Sequence, residues 1–248
     1  MTTSRDRDDL WVRRYQPAPD SDRVLVCFPH AGGSATFYFP VARALSPRVD
    51  VLALQYPGRQ DRKSEACVAS IPALAERILP ELLPWTGRRV ALFGHSMGAT
   101  VAFEVARLLE QEGHGPEVLF ASARRAPSRH RDESVHQRDD DGLVRELKEL
   151  AGTNSAVLGE EELMRMVLPT IRSDYQAAET YRFTGGPPLS CPITAFVGED
   201  DPKATVDETR SWQEHTTGEF SLEVFSGGHF YLTEHQDAVL DRITKQLG

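Results

Sequence analysis

Ser96 is the residue whose surroundings point most clearly to chemistry. It lies in the run Gly94, His95, Ser96, Met97, Gly98, a pattern typical of a serine exposed on a sharp turn between a strand and a helix. Residues 89–93 are apolar enough for a buried strand, and residues 97–112 carry apolar side chains at helical spacing. The start of a helix favours negative charge nearby. We therefore predict that Ser96 is the nucleophile of an acyl-transfer reaction.

His229 is the predicted general base. It follows two glycines directly after the apolar run 220–225, so its loop is free to turn the imidazole toward Ser96. His95 adjoins Ser96 on the turn itself, where its side chain should be directed away from the hydroxyl. Because a base must come within hydrogen-bond reach of its proton, we interpret His95 as a packing residue that supports the turn.

Two aspartates compete for the acid that orients the base. Both follow the apolar run 193–197 and lie between Ser96 and His229 in the chain. That position agrees with the order nucleophile, acid, histidine that is typical of a serine on such a strand-to-helix turn. Asp201 directly precedes Pro202, which biases it toward extended backbone. We favour Asp201, and Asp200 stays open as the alternative.

Two backbone amides are candidates for stabilising the tetrahedral oxyanion. Met97 follows the nucleophile directly, and its N–H is one expected donor. Ala31 lies in a glycine-rich loop after the apolar run 23–28, and its N–H is the second. An ordinary glycine-rich loop is the alternative reading of that segment.

The segments that must position these residues alternate between strand-like and helix-like patterns. Strands that are apolar throughout are typical of a parallel sheet covered on both faces. The alternation predicts an α/β fold with a mostly parallel central sheet flanked by helices, in a single domain over residues 1–248. The strand-like runs are residues 23–28, 49–54, 89–93, 117–122, 193–197 and 220–225.

The alternation breaks at about residues 128–188. Two helical patterns follow each other there without a strand, the second with an expected kink near Pro169. Long inserted segments are often functional, so we interpret this one as a helical lid. Two ordinary covering helices are the alternative.

Composition excludes several other classes. A formal charge of -9 argues against a general nucleic-acid binder. The three cysteines are widely spaced and suggest neither a disulfide framework nor a zinc site, and nothing indicates another metal or a tightly held cofactor. No apolar run is long enough for a membrane span, and residues 1–9 lack the apolar core of a signal peptide. We expect a cytoplasmic monomer.

Several motifs together resemble one family. The chain is similar to type II thioesterases, the free-standing editing enzymes of polyketide and nonribosomal peptide synthesis, within the α/β-hydrolase superfamily. The matching motifs are FPHAGG at 28–33, QYPGR at 55–59, GHSMG at 94–98, RRAP at 124–127, ELM to ETY at 162–181, GEDDP at 198–202 and GGHFYL at 227–232.

The resemblance implies hydrolysis of acyl thioesters from the phosphopantetheine arm of acyl or peptidyl carrier protein domains of a modular synthase. Ser96, His229 and Asp201 would act through an acyl-enzyme. A medium-chain fatty acyl thioesterase or a carboxylesterase on free esters is the alternative, and a hydrolase-fold protein that binds without catalysis is a further one. Phe37, Tyr38 and Met166 are candidates for the acyl pocket, although each fits the core equally well.

A carrier domain is typically acidic, so an acidic enzyme should meet it with a confined basic surface. Ordinary solvated arginines are an equally good reading of the residues concerned. The candidates are Arg59, Arg62, Arg124, Arg125, Arg129 and Arg131.

Overall fold

A seven-stranded sheet forms the centre of the computed structural model, which describes residues 10–151 and 161–248. The strands are β1 (Val12–Arg13), β2 (Arg23–Phe28), β3 (Asp50–Leu54), β4 (Arg89–His95), β5 (Val118–Ser122), β6 (Ile193–Gly198) and β7 (Phe220–Phe225). Their order is β1-β3-β2-β4-β5-β6-β7, and only β1 runs antiparallel to its neighbour. The predicted α/β class with a mostly parallel sheet is confirmed.

Helices cover both faces of the sheet. They are α1 (Phe39–Leu45), α2 (Ile71–Leu82), α3 (Met97–Gln111), α4 (Asp140–Ala151), α5 (Glu161–Thr180), α6 (Val206–Arg210), α7 (Tyr231–Glu234) and α8 (Gln236–Leu247). Side chains of α2 and α3 pack on one face, and those of α1 and α8 pack on the other. The central strands alternate between the two cores, which is why they read as continuously apolar in the sequence.

Helices α4 and α5 follow each other between β5 and β6, in the segment expected to be inserted. Helix α5 runs through Pro169 as one element. The two helices share a small apolar cluster of their own, separate from the two sheet cores, which includes Leu143, Leu168 and Tyr175. That this segment is a lid on a single domain stays a prediction.

Within the described residues, no helix combines the length and the apolar character that crossing a membrane requires.

His215 is buried and packs against helix α3. Its ring lies 5.0 Å from that of Phe183 and 5.4 Å from that of Phe103. Its Nε2 accepts a hydrogen bond from the backbone N–H of Ser128 at 3.3 Å, which requires that nitrogen to be unprotonated. Burial is the main cause that lowers the pKa of His215 to about 4.

Acidification should therefore destabilise the fold through His215. The unfolded chain binds a proton at this residue near its ordinary pKa of about 6.5, whereas the folded chain does so only near pH 4. The stability that His215 contributes is complete above about pH 6.5 and falls by roughly 2 to 3 kcal/mol as the pH drops to about 4.5. In His215→Gln, the free energy of unfolding should fall less over this interval than in the wild type. Urea unfolding at both pH values measures this, and equal losses would contradict it.

Candidate active site

The turn between β4 and α3 holds Ser96 in a strained conformation. Its backbone has φ 55° and ψ -122°, a conformation that residues other than glycine rarely adopt. A Cβ on Gly94 would lie 2.2 Å from the carbonyl oxygen of Gly98, and a Cβ on Gly98 would lie 2.1 Å from that of Phe28. Glycine at both positions therefore lets the helix approach the sheet closely. The Ser96 N–H donates to the Ser122 carbonyl at 2.8 Å and fixes the turn to β5.

A chain of hydrogen bonds joins three of the predicted residues. The Oγ of Ser96 lies 2.9 Å from Nε2 of His229, and Nδ1 of His229 lies 2.9 Å from both carboxylate oxygens of Asp201. With Nδ1 donating to the carboxylate, the lone pair of Nε2 faces the hydroxyl and can accept its proton. This is the arrangement that activates a serine for attack on an acyl carbon.

The two competing aspartates have different environments. Asp201 is 5% exposed, and its Oδ1 also accepts the N–H of Lys203 at 2.8 Å. The neighbouring Asp200 is exposed to solvent. The structure thus brings Asp201 to the imidazole of His229, as the proline that follows it had suggested.

His95 and His30 are two further histidines near the base. The ring of His95 lies 5.3 Å from that of His229 and 5.9 Å from that of His30. Nδ1 of His95 lies 2.9 Å from Oγ of Ser122, so its side chain is directed away from the nucleophile. Burial, followed by the neighbouring His229, holds the pKa of His95 well below its ordinary value. The same causes, with Arg59, lower the pKa of His30 to about 3. Both rings are therefore neutral near pH 7 and place no positive charge beside His229.

Both residues predicted to supply an oxyanion donor lie at the site. Ala31 and Met97 line the same cavity as Ser96 and His229. Met97 is the first residue of α3, where a backbone N–H has no partner within the helix. That these two amides, with the start of the helix, hold the negative charge of a tetrahedral intermediate stays a prediction.

The cavity beside Ser96 is small and has one apolar wall from the inserted helices. The described residues enclose a volume of about 60 Å³ there. The residues that helices α4 and α5 contribute include Leu147, Leu150, Tyr175 and Ala178. Periodicity had indicated apolar faces on these helices, but it gave no signal that one face covers the site.

Charged side chains form another part of the cavity wall. Burial lowers the pKa of the Arg124 guanidinium to about 10, which leaves it charged at neutral pH. Burial opposes ionisation of Glu133, but Arg125 and Lys203 outweigh it and lower the pKa of that carboxyl to about 2. Among the described residues, no cluster of three or more histidine, cysteine or acidic side chains could hold a metal ion.

Comparison with known proteins gives the family. The sequence profile of the thioesterase domain matches residues 23–247. The chain belongs to the thioesterase family. It is 53% identical over 247 residues to the probable cadicidin biosynthesis thioesterase of Streptomyces griseus, covering 100% of this chain and 68% of the relative. It is 49% identical over 241 residues to the thioesterase PikA5 of Streptomyces venezuelae, covering 96% and 85%.

A solved structure agrees with this assignment. The type II thioesterase BorB from the borrelidin biosynthetic cluster superposes with a TM-score of 0.93 at 56% identity, over 97% of this chain and 98% of that one. The α/β-hydrolase fold and the resemblance to type II thioesterases are therefore confirmed, and this thioesterase is a hydrolytic enzyme.

The structure places the three candidate acyl-binding residues of the thioesterase outside the cavity beside Ser96, and their role in binding stays a prediction. Tyr38 is fully buried in the core, where its hydroxyl donates to the Phe28 carbonyl at 2.7 Å. Phe37 packs its ring against His30, at 4.8 Å between centroids. Met166 lies on α5 and is 68% exposed. None of the three predicted residues lines the cavity that the described residues form.

The six arginines of the predicted basic surface have different environments, and that surface stays a prediction. Arg124 lines the cavity, and the other five arginines are held in ion pairs, three of them buried. The pairs are Arg59 with Asp174, Arg62 with Glu65, Arg125 with Glu133, Arg129 with Glu214 and Arg131 with Glu208.

The two aspartates offer a matched test of the site. We expect Asp201→Asn to lower kcat by about 10⁴, because an amide cannot hold the required tautomer or stabilise the imidazolium. Asp200→Asn should stay within about twofold of the wild type, because its side chain is exposed. Thiol release from a small acyl thioester measures both. The opposite ranking would move the acid to Asp200.

Proposed function

We propose that this thioesterase hydrolyses acyl groups from the phosphopantetheine arm of carrier protein domains, and so clears stalled or aberrant chains during polyketide or nonribosomal peptide synthesis. The main observation is the hydrogen-bonded series Ser96, His229 and Asp201, which opens on a small cavity with an apolar wall. The similarity to thioesterases of antibiotic biosynthesis supports the carrier-bound substrate.

The first half of the reaction transfers the acyl group to the enzyme. Oγ of Ser96 attacks the thioester carbonyl carbon while Nε2 of His229 takes the hydroxyl proton. The amides of Ala31 and Met97 stabilise the oxyanion. The carbon–sulfur bond then breaks, and the imidazolium returns its proton to the leaving thiolate. Asp201 stabilises the imidazolium throughout.

The second half releases the acid. Water takes the place of the thiol, His229 removes one of its protons, and the resulting nucleophile attacks the acyl-Ser96 ester. Collapse of the second tetrahedral intermediate returns the proton to Ser96. The carrier leaves with a free thiol and can be loaded again.

The cavity favours a short acyl chain. A cavity of roughly 10 to 15 Å³ holds one water molecule, so a cavity of about 60 Å³ accommodates only a few heavy atoms. Leu147 and Leu150 close it on the side of the inserted helices. Acyl groups of two to four carbons fit this space better than medium-length fatty chains. We further expect the enzyme to act as a cytoplasmic monomer.

Substrate choice and nucleophile can be tested together. An acyl-loaded carrier protein should be cleaved with a higher kcat/KM than a p-nitrophenyl ester of the same acyl group. A fluorophosphonate probe should label the wild type but not Ser96→Ala. Faster cleavage of the simple ester would favour a carboxylesterase, and labelling of neither protein would favour a binding protein without catalysis.

Enlarging the cavity should change the preferred chain length. Leu147→Ala removes three carbons from the wall of the cavity, and one extra methylene of substrate is worth about 1 to 3 kcal/mol in an apolar pocket. We expect the kcat/KM ratio of hexanoyl to propionyl thioesters to rise about tenfold or more. Lys148→Ala, on the exposed neighbouring position of the same helix, is the control and should leave the ratio unchanged. An unchanged ratio in Leu147→Ala would place the acyl chain elsewhere.

A further inference from the structure

A buried ion pair joins the inserted helix α5 to the loop that follows β3. Arg59 is 7% exposed and Asp174 is 1% exposed. The guanidinium donates to both carboxylate oxygens, at 2.8 Å from Nη1 to Oδ2 and 2.9 Å from Nη2 to Oδ1. This two-point geometry fixes the orientation of the carboxylate as well as its charge.

The same pair holds the glycine-rich loop after β2. Oδ2 of Asp174 also accepts the backbone N–H of Gly32 at 2.8 Å, and Nη1 of Arg59 donates to the Gly33 carbonyl at 3.0 Å. Gly32 directly follows Ala31, whose amide is the proposed oxyanion donor. The peptide unit between Ala31 and Gly32 is therefore anchored from α5, 142 residues away in the chain.

Two further contacts seat α5 on these loops. A Cβ on Gly32 would lie 2.7 Å from Cγ1 of Ile171, so a glycine is needed for the helix to come this close. The hydroxyl of Thr170 donates to the Gly58 carbonyl at 2.6 Å, one residue before Arg59. Thr170, Ile171 and Asp174 share one face of the helix, and that face contacts both loops.

The geometry points to Asp174 and Arg59 as positioning residues for the oxyanion donor, which make the placement of the Ala31 amide depend on the seating of helix α5. This inference rests on the proposed acyl-transfer function. Neither residue lines the cavity formed by the described residues. Their effect should therefore appear in the rate of acyl transfer and not in the binding of the acyl group.

Asp174→Asn is the decisive variant. An asparagine has one acceptor oxygen, which cannot serve Gly32 and both guanidinium donors together. We expect kcat to fall about 30- to 100-fold, as for a displaced oxyanion donor, while KM stays within about threefold. The readouts are steady-state hydrolysis of an acyl-loaded carrier protein and the rate constant for labelling of Ser96 by a fluorophosphonate. Labelling also forms charge on an oxygen beside Ser96, so it should slow by a similar factor.

Asp140→Asn is the matched control. Asp140 pairs with Arg172 of α5 at 2.7 Å on the exposed side of the helix and touches neither loop. It should keep both rates within about twofold of the wild type. All rates are divided by the fraction of enzyme labelled at completion, which removes misfolded protein from the comparison. If Asp174→Asn yields no labelled enzyme, Arg59→Lys replaces it and should lower kcat about 3- to 10-fold at unchanged KM.

The inference is overturned if Asp174→Asn raises KM at unchanged kcat, or if its rates equal those of Asp140→Asn. A failure of the proposed function is a separate result. In that case the wild type does not hydrolyse the acyl-carrier substrate, yet the labelling rates of the two variants still differ.

Discussion

The close contact between helix α3 and strands β2 and β4 is the constraint on which the site depends. The hydroxyl of Ser96 is exposed because the chain turns from strand to helix with no side chain at Gly94 or Gly98. β4 lies at the middle of the sheet, between β2 and β5. The strands on either side run parallel to it, so their carboxyl ends meet at the edge where the turn emerges. The loops that carry the base, its acid and the oxyanion donors therefore converge on the nucleophile.

Features set by neighbouring residues were predictable from the sequence. Apolar runs locate the parallel strands, and the GHSMG turn between a strand and a helix locates Ser96. A proline beside one of two aspartates favours Asp201, which the structure brings to His229. The two-residue strand β1, Val12–Arg13, escaped prediction because it is too short to show a pattern and lies at the edge of the sheet.

Features set by distant contacts were not predictable. The aromatic Tyr38 was a plausible pocket residue by type, yet it satisfies its hydroxyl inside the core. The pairing of Arg59 with Asp174 joins residues 115 positions apart, and no local pattern distinguishes such arginines from solvated ones. The wall of the cavity depends on how α5 lies over the sheet, which helical periodicity leaves undetermined. The site's chemistry is thus encoded locally, and its shape is encoded by long-range packing.

The apolar cluster shared by α4 and α5 is separate from the two clusters that flank the sheet. Leu147 packs against that cluster and lines the cavity, so a substitution there can reshape the cavity without changing the strand-to-helix turn that holds the nucleophile. Asp174 sets a limit to this freedom, since the face of α5 that carries it also anchors the loop beside Ala31. A substitution on that face can therefore move the loop as well as the helix, whereas one at an exposed position of α5 leaves this contact in place.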